Sequence, residues 1–395
     1  MTPLTLSHYT ATTCLGHGLL PLTAALRQQR GGLAPCTFET ANLETCIGVV
    51  DGLDTEQLPG HLRAYDCRNN RLAHLALRQD DFLQAVKASI SRAGRRFGLF
   101  LGTSTSGILE TEVAYRNRDP ATGRLPSTYR YRDTHNAFSV AAFLRELLEV
   151  EGPTVVISTA CSSSAKVFGN AQRMIQAGLI DAALVGGVDS LCLTTLYGFH
   201  SLQLTARGPC RPFCAERDGL SIGEGAAFAL LERADIQGGS GIALLGVGES
   251  NDAYHISSPH PDGLGARLAM EQALKAAGLE PGQIDYVNLH GTATPGNDRA
   301  EGRAVARVMG ARTPCSSTKG ATGHTLGAAG ALEAVICAVS IKGGFMPAGI
   351  NTTNVDPSME IEYLTSTRIA PVSRVLSNSF GFGGTNCSLI IGTPG

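Results

Sequence analysis

Short, almost wholly apolar runs alternate along the chain with longer stretches in which apolar residues recur every three or four positions. The runs are FGLFLGTS from Phe97, TVVISTA from Thr154, AALVGGVDS from Ala182, IDYVNLHG from Ile284 and NCSLIIG from Asn386. Their length and lack of polar alternation predict strands buried on both faces. Helical periodicity spans 71–91, 139–150, 164–178, 264–278 and 327–342. Strands alternating with helices predict an α/β fold with helix-covered sheets. The polar, arginine-rich stretch 115–132 reads as a long loop.

The pattern repeats. Near Cys161 a strand runs into a turn of small residues, a helix follows, and a strand with paired glycines comes next. From Ser316 the order recurs as SSTKGATGH, a helix from Gly327, the glycine-rich NSFGFGGTN and a final strand. A duplicated α/β unit is expected, split near 238–241 into halves 1–238 and 239–395.

Composition narrows the class. A chain of 395 residues suits two fused domains. With 43% apolar and 17% charged residues it can bury a large core. A net charge of −2 gives no reason to expect nucleic acid or a membrane surface as partner. No apolar run reads as long enough to span a bilayer, and the N-terminal residues lack the basic and apolar regions of a secretory signal. Eleven cysteines without paired spacing predict reduced thiols in a cytosol, most of them small core residues.

Chemistry enters at four motifs. In TVVISTACSSSAK an apolar strand ends at Thr159-Ala160, Cys161 occupies the turn, and a helix follows. That geometry exposes a nucleophile at a sheet edge. The positive helix end favours the thiolate, and the serines that follow suit an N-cap. A single cysteine among eleven is ordinarily an inert core thiol, so the context carries the reading. In NLHGTATPGND, His290 ends a strand, and in SSTKGATGHTLGAAG, Lys319 and His324 share a glycine-rich turn. Each histidine alone is ordinarily structural. A Cys–His–His–Lys set at strand ends is where α/β sheets build active sites. In NSFGFGGTN the glycines permit close backbone approach, and Phe380 and Phe382 wall a pocket.

These four motifs, in this order and spacing, resemble the signature of β-ketoacyl-[acyl-carrier-protein] synthases. The likeness runs from about Phe97 to the C-terminus and includes RPFCAERDGLSIGEGAAFALLE between the halves. The resemblance implies a thiolase fold, two βαβαβαββ halves in a five-layered α-β-α-β-α core, normally dimeric, and no metal or organic cofactor. It implies that Cys161 carries an acyl group taken from acyl carrier protein. The backbone N–H groups of Cys161 and Phe382 form its oxyanion hole. His290 and His324 hydrogen-bond the malonyl thioester oxygen, Lys319 orders His324 with Glu333 as its partner, and Phe382 gates the pocket. Thr292, Thr294 and Ser257 match positions that line the pantetheine channel.

The same resemblance places Thr105 at the floor of the acyl pocket, with a hydroxyl free for a polar or aromatic end group, and Phe199 along the tunnel. The loop 129–136 maps near the dimer contact. Arg63, Arg68, Arg71 and Arg207 fall at carrier-docking positions, with ordinary solvated arginines as the equal alternative. The segment DSLCLTTLYGFHSLQL and the SIGEGAA turn resemble synthases of aryl polyene pigments. The implied reaction is decarboxylative condensation of malonyl carrier protein with acyl-Cys161 in the cytoplasm, by a homodimer or a heterodimer with a chain-length-factor subunit. Housekeeping fatty-acid elongation, a catalytically dead partner subunit, a thiolase and a cysteine acyl hydrolase remain as alternatives. The pairs His255/His260 and Cys210/Cys214 have zinc-compatible spacing but lack a matching second pair.

Overall fold

A computed structural model describes residues 2–233 and 241–394. The expected split at 238/239 lies outside the described residues. The first half builds a sheet from Leu4–Thr13 (β1), Phe97–Gly102 (β2), Thr154–Ile157 (β3), Ala182–Asp189 (β4) and Gly225–Arg233 (β5). Its order is β3-β2-β4-β5-β1, with β5 antiparallel to β4 and β1. The second half uses Ala243–Asn251 (β6), Tyr286–Asn288 (β7), Pro314–Ser316 (β8), Arg374–Gly381 (β9) and Thr385–Gly392 (β10). Its order is β8-β7-β9-β10-β6, with β10 antiparallel to β9 and β6. Both sheets therefore run 3-2-4-5-1 in their own numbering, and β1 pairs with β6 to join them.

The helices that position the site are Ser163–Gln176 (α1), Leu193–Ser201 (α2), Leu264–Ala277 (α3), Pro295–Met309 (α4) and Ala329–Gly343 (α5). Helices α1 and α5 lie between the sheets. Val167 and Phe168 of α1 and Leu332 and Val335 of α5 share one buried cluster with Val185 of the first sheet and Leu389 of the second. Leu72 and Phe143 cover the outer face of the first sheet, and Met270 of α3 and Val305 of α4 cover that of the second. The result is the five-layered thiolase arrangement.

Small residues let the two central helices meet. A Cβ on Gly330 of α5 would sit 2.6 Å from the Ala165 backbone nitrogen of α1. At the same crossing the Ala331 N–H donates to the Ser164 hydroxyl at 2.9 Å. One half thus satisfies an orphan donor in the first turn of the other half's helix.

Several expectations need correction. The stretch 71–91 is two helices, Arg68–Leu77 and Phe82–Ala93. Asp80 and Asp81 between them have φ of 55°, and Asp80 takes hydrogen bonds from the Thr10 hydroxyl and the Leu19 N–H. β3 is half-buried rather than buried on both faces, because it ends its sheet and one edge is unpaired. Asn378–Gly381 belong to β9 rather than to a turn. The stretch Leu326–Gly343, with mean hydropathy 1.5, is long and apolar enough to cross a membrane, contrary to the sequence reading, but 89% of it is buried between the sheets.

Gly330→Ala is expected to cost about 1–3 kcal/mol, the usual cost of forcing a methyl into a packed core. The urea unfolding midpoint measures this, and an unchanged midpoint would show that the helices can part without penalty.

Candidate active site

Each of the three chemistry-bearing turns contains a non-glycine residue in left-handed conformation. Ala160 (φ 51°) precedes Cys161, Ala293 (φ 69°) follows His290, and Leu326 (φ 53°) follows His324. Such conformations cost on the order of 1–3 kcal/mol each and persist only where the surroundings impose them. At Cys161 the serines supply the constraint. Ser162 donates to the Thr159 carbonyl at 2.9 Å and Ser163 to that of Ala160 at 2.5 Å. They brace the turn and do not cap α1, contrary to expectation.

At His290 the constraint is a pair of buried carboxylates on α4 that the sequence reading missed. Glu301 accepts the N–H groups of His290 and Gly291 at 2.8 and 2.7 Å. Asp298 accepts those of Phe213 and Ala293 at 2.8 and 3.1 Å. Burial pushes Glu301 up to about 7 and Asp298 up to about 6. The available signal was an acidic pair three residues apart, directly after the histidine turn.

The turns converge. His324 Nε2 lies 3.0 Å from Cys161 Sγ. The sulfur and one nitrogen from each of His290 and His324 all fall within 4.8 Å of one another. Leu326 N–H donates to His324 Nδ1 at 3.3 Å, and the Lys319 ammonium sits 3.4 Å from His290 Nδ1. Both Nδ1 atoms are therefore acceptors, and the proton of each neutral ring is on Nε2. Lys319 thus orders His290, not His324 as expected, while ion-pairing with Glu333. Burial first, then Lys319, holds both imidazoles well below their ordinary range, with His324 also acting on His290. Burial raises Glu333 to about 7 against the pull of Lys319. The site is two neutral N–H donors beside a thiol.

Cys161 departs from expectation. Burial pushes its thiol up to about 12, outweighing Lys319 and the backbone N–H groups of Phe382 and Cys161 that favour the thiolate. The Phe382 N–H reaches the sulfur because Gly381 passes so close to the nucleophile turn that a Cβ there would sit 2.7 Å from Thr159 O. Phe380 packs edge-on against His290 at 5.8 Å, and the Phe382 ring lies 5.5 Å from Phe199 of α2.

A cavity of about 500 Å³ ends on Cys161, His290 and His324. Phe199, Thr292, Thr294 and Ser257 line it, as does Phe382. Thr105 does not join them. Its hydroxyl donates to Asp189 at 2.7 Å and accepts the Ser190 N–H at 3.2 Å, so its one donor is spent, and the residue is 1% exposed. Asp189 also binds the Thr103 and Ser104 hydroxyls and the Gly327 N–H, tying the two halves together. In the loop 129–136, Thr111 bonds Tyr129 and His135 at 2.6 and 2.5 Å.

Arg68 is a poor docking residue because it is 6% exposed and paired with Glu224 and Asp54. Arg71 is half-buried against Asp66 at 2.6 Å. Arg63 and Arg207 are exposed. Neither zinc-compatible pair gathers: Cys210 donates to Lys319 O and Cys214 to Glu216, while His255 and His260 each accept a backbone N–H from their own turn. The Cys161–His290–His324 cluster has the spacing for a cation, but the adjacent ammonium opposes one electrostatically.

The N-terminal domain model of the beta-ketoacyl synthases matches residues 75–236, and the C-terminal domain model matches 242–353. The chain is 33% identical over 378 residues to a 3-oxoacyl-[acyl-carrier-protein] synthase 2 of Vibrio cholerae, covering 89% of each. It is 42% identical over 259 residues to the mitochondrial 3-oxoacyl-[acyl-carrier-protein] synthase of Arabidopsis thaliana, covering 61% of this chain and 56% of that one. A ketosynthase of Xenorhabdus doucetiae, solved in complex with its chain length factor, superposes with a TM-score of 0.89 at 36% identity, covering 100% of this chain and 98% of that one.

A thiol raised this far is alkylated through its small thiolate fraction. Its iodoacetamide rate should climb about tenfold per pH unit from about pH 7 to about pH 10 without a plateau. Lys319→Met removes a charge that lowers the thiol's value, so it should slow alkylation at any pH in that range. A plateau below about pH 9, read by peptide mass spectrometry at Cys161, would mean a thiolate already formed.

Proposed function

This chain belongs to the β-ketoacyl synthase family, and on that premise we propose how its residues divide the work of a 3-oxoacyl-[acyl-carrier-protein] synthase. The carrying observation is the convergence of Cys161, His290 and His324 within 4.8 Å at the end of one cavity. In the first half-reaction Cys161 Sγ attacks the acyl thioester carbonyl, the carrier's pantetheine sulfur leaves, and the thiol proton goes to that sulfur. The N–H groups of Cys161 and Phe382 stabilise the oxyanion. In the second, the bond between the malonyl carboxylate and Cα breaks and releases CO2. The Nε2–H groups of His290 and His324 bind the enolate oxygen as charge develops there. The carbanion attacks the acyl-cysteine, and Cys161 leaves and is reprotonated.

Neutral imidazoles suit this task. A proton on Nε2 and none on Nδ1 makes each ring a donor, not a base. Lys319, paired with Glu333, keeps His290 in that tautomer. Phe382 packs at a tilt against Phe199 and is the proposed gate, while Thr292, Thr294 and Ser257 bind the pantetheine arm and Phe380 walls the site beside His290.

Within this class we propose a specialised chain, rigid and unsaturated as in aryl polyenes, over housekeeping elongation. Support comes from Phe199, whose ring faces the gate, and from similarity along the whole chain to a ketosynthase that pairs with a chain length factor. The unpaired, half-buried edge of β3 supports a second subunit, either a copy of this chain or a chain-length-factor relative. Arg63 and Arg207 remain as carrier-docking cations. Among the described residues, the stretch long and apolar enough to cross a membrane is 89% buried, which supports work in the cytosol.

Cys161→Ala is expected to abolish acyl loading by intact-protein mass spectrometry. His290→Ala and His324→Ala should still load but lose about 10²–10³ in CO2 release from malonyl carrier protein, the usual effect of one missing donor. Equal loss of both half-reactions would contradict this division. Steady hydrolysis of the acyl group without malonyl use would favour a hydrolase.

For the chain itself, polyenoyl or aryl-primed carrier proteins should outcompete saturated ones of equal length, and Phe199→Ala should narrow the gap. A preference for saturated chains in the wild type would return the protein to ordinary elongation.

A further inference from the structure

The cavity that ends on buried Cys161 begins among exposed residues of α4 and the loop 252–262. Two of its lining residues there are Arg299 and Arg303. They stand four apart on α4, so both project from one helix face. Arg299 forms no hydrogen bond or ion pair among the described residues. Arg303 Nη1 reaches Pro261 O at 3.1 Å and Asp262 at 3.5 Å, the latter an exposed pair of the kind worth little in water. The cavity's one lining carboxylate, Asp252, is already occupied by the His260 N–H at 2.9 Å and the Asn386 side chain at 2.8 Å. The same cavity is lined by the half-buried Ser257 hydroxyl, the buried Thr292 and Thr294 hydroxyls and the buried thiol. The channel therefore offers cations at its mouth, neutral hydroxyls along its length and a nucleophile at its end.

We propose that Arg299 and Arg303 form a phosphodiester site that holds the phosphate of the carrier's phosphopantetheine arm while its thioester reaches Cys161. This rests on the acyl-cysteine reading above. Guanidinium groups bind phosphate oxygens through paired N–H donors and remain charged at any working pH. A cation freed from weak surface partners costs little to recruit. The site differs from protein–protein docking at Arg63 and Arg207, because it needs only the arm and not the carrier's surface.

The test compares loading of Cys161 by hexanoyl-phosphopantetheine and by hexanoyl-pantetheine, which differ only in the phosphate. The wild type should favour the phosphorylated thioester roughly tenfold in kcat/KM, the size of one charge-assisted hydrogen bond, mainly through KM. The advantage should shrink as salt rises. Arg299→Ala with Arg303→Ala should bring the ratio to about one, and the paired lysine substitutions should restore part of it. A wild-type ratio near one with both thioesters loading would overturn the site, as would a ratio that survives the double alanine variant. Failure of both thioesters to load Cys161 would strike the acyl-cysteine reading instead, and this site with it.

Discussion

The Lys319 ammonium sits 2% exposed between one carboxylate, Glu333, and one imidazole nitrogen, His290 Nδ1. A charge taken out of water at such cost is retained only where its partners are fixed. After burial, that fixed charge is the next influence on the thiol and both imidazoles. Burial disfavours protonation of both histidines and the ammonium adds to it, so each remains a neutral donor. The ammonium also pulls on the Cys161 thiol without overcoming the desolvation that keeps the proton on sulfur. The two imidazoles and the thiol at the cavity's end are therefore uncharged at rest, and in the proposed mechanism the donors face negative charge that arises only during reaction, which is where donors accelerate most.

Holding that arrangement requires both halves of the chain. Cys161 belongs to the first half, and His290, Lys319 and His324 to the second. They meet because α1 and α5 cross at a glycine–alanine contact with no room for a larger side chain. Asp189 of the first half grips the Gly327 N–H beside the His324 turn. The Ser164 hydroxyl meets α5 at the crossing. The small-residue run GAAG is thus an approach distance written into sequence, and the left-handed alanines at the turns record the strain of making strand ends meet.

The cavity shows how neighbouring positions diverge in role. Phe199 and Phe382 pack against each other at a tilt and both line the cavity, whereas the Thr105 hydroxyl donates to buried Asp189. Arg68 is locked to Glu224, whereas Arg299 is exposed at the mouth with no hydrogen bond or ion pair among the described residues. A residue of suitable type is available for function only when the fold has not already satisfied it.

By itself the sequence determined the α/β class, the duplication and the four chemistry-bearing motifs. Apolar runs, helical periodicity and glycine-rich punctuation are local signals, and Cys161, His290, Lys319 and His324 stand in motifs too specific to be ordinary turns. The break at Asp80-Asp81 was not legible, because a carboxylate bound to Thr10 and Leu19 depends on chain 61 to 70 residues away. Glu301 and Asp298 were missed for a related reason, since their partners are backbone groups whose direction no side-chain pattern reveals. Tertiary structure alone decided the protonation of the thiol, the histidine that Lys319 serves, and which arginines are free. Each of these depends on burial and on distances between segments remote in sequence, and desolvation, the largest force acting on all of them, exists only once the chain has folded.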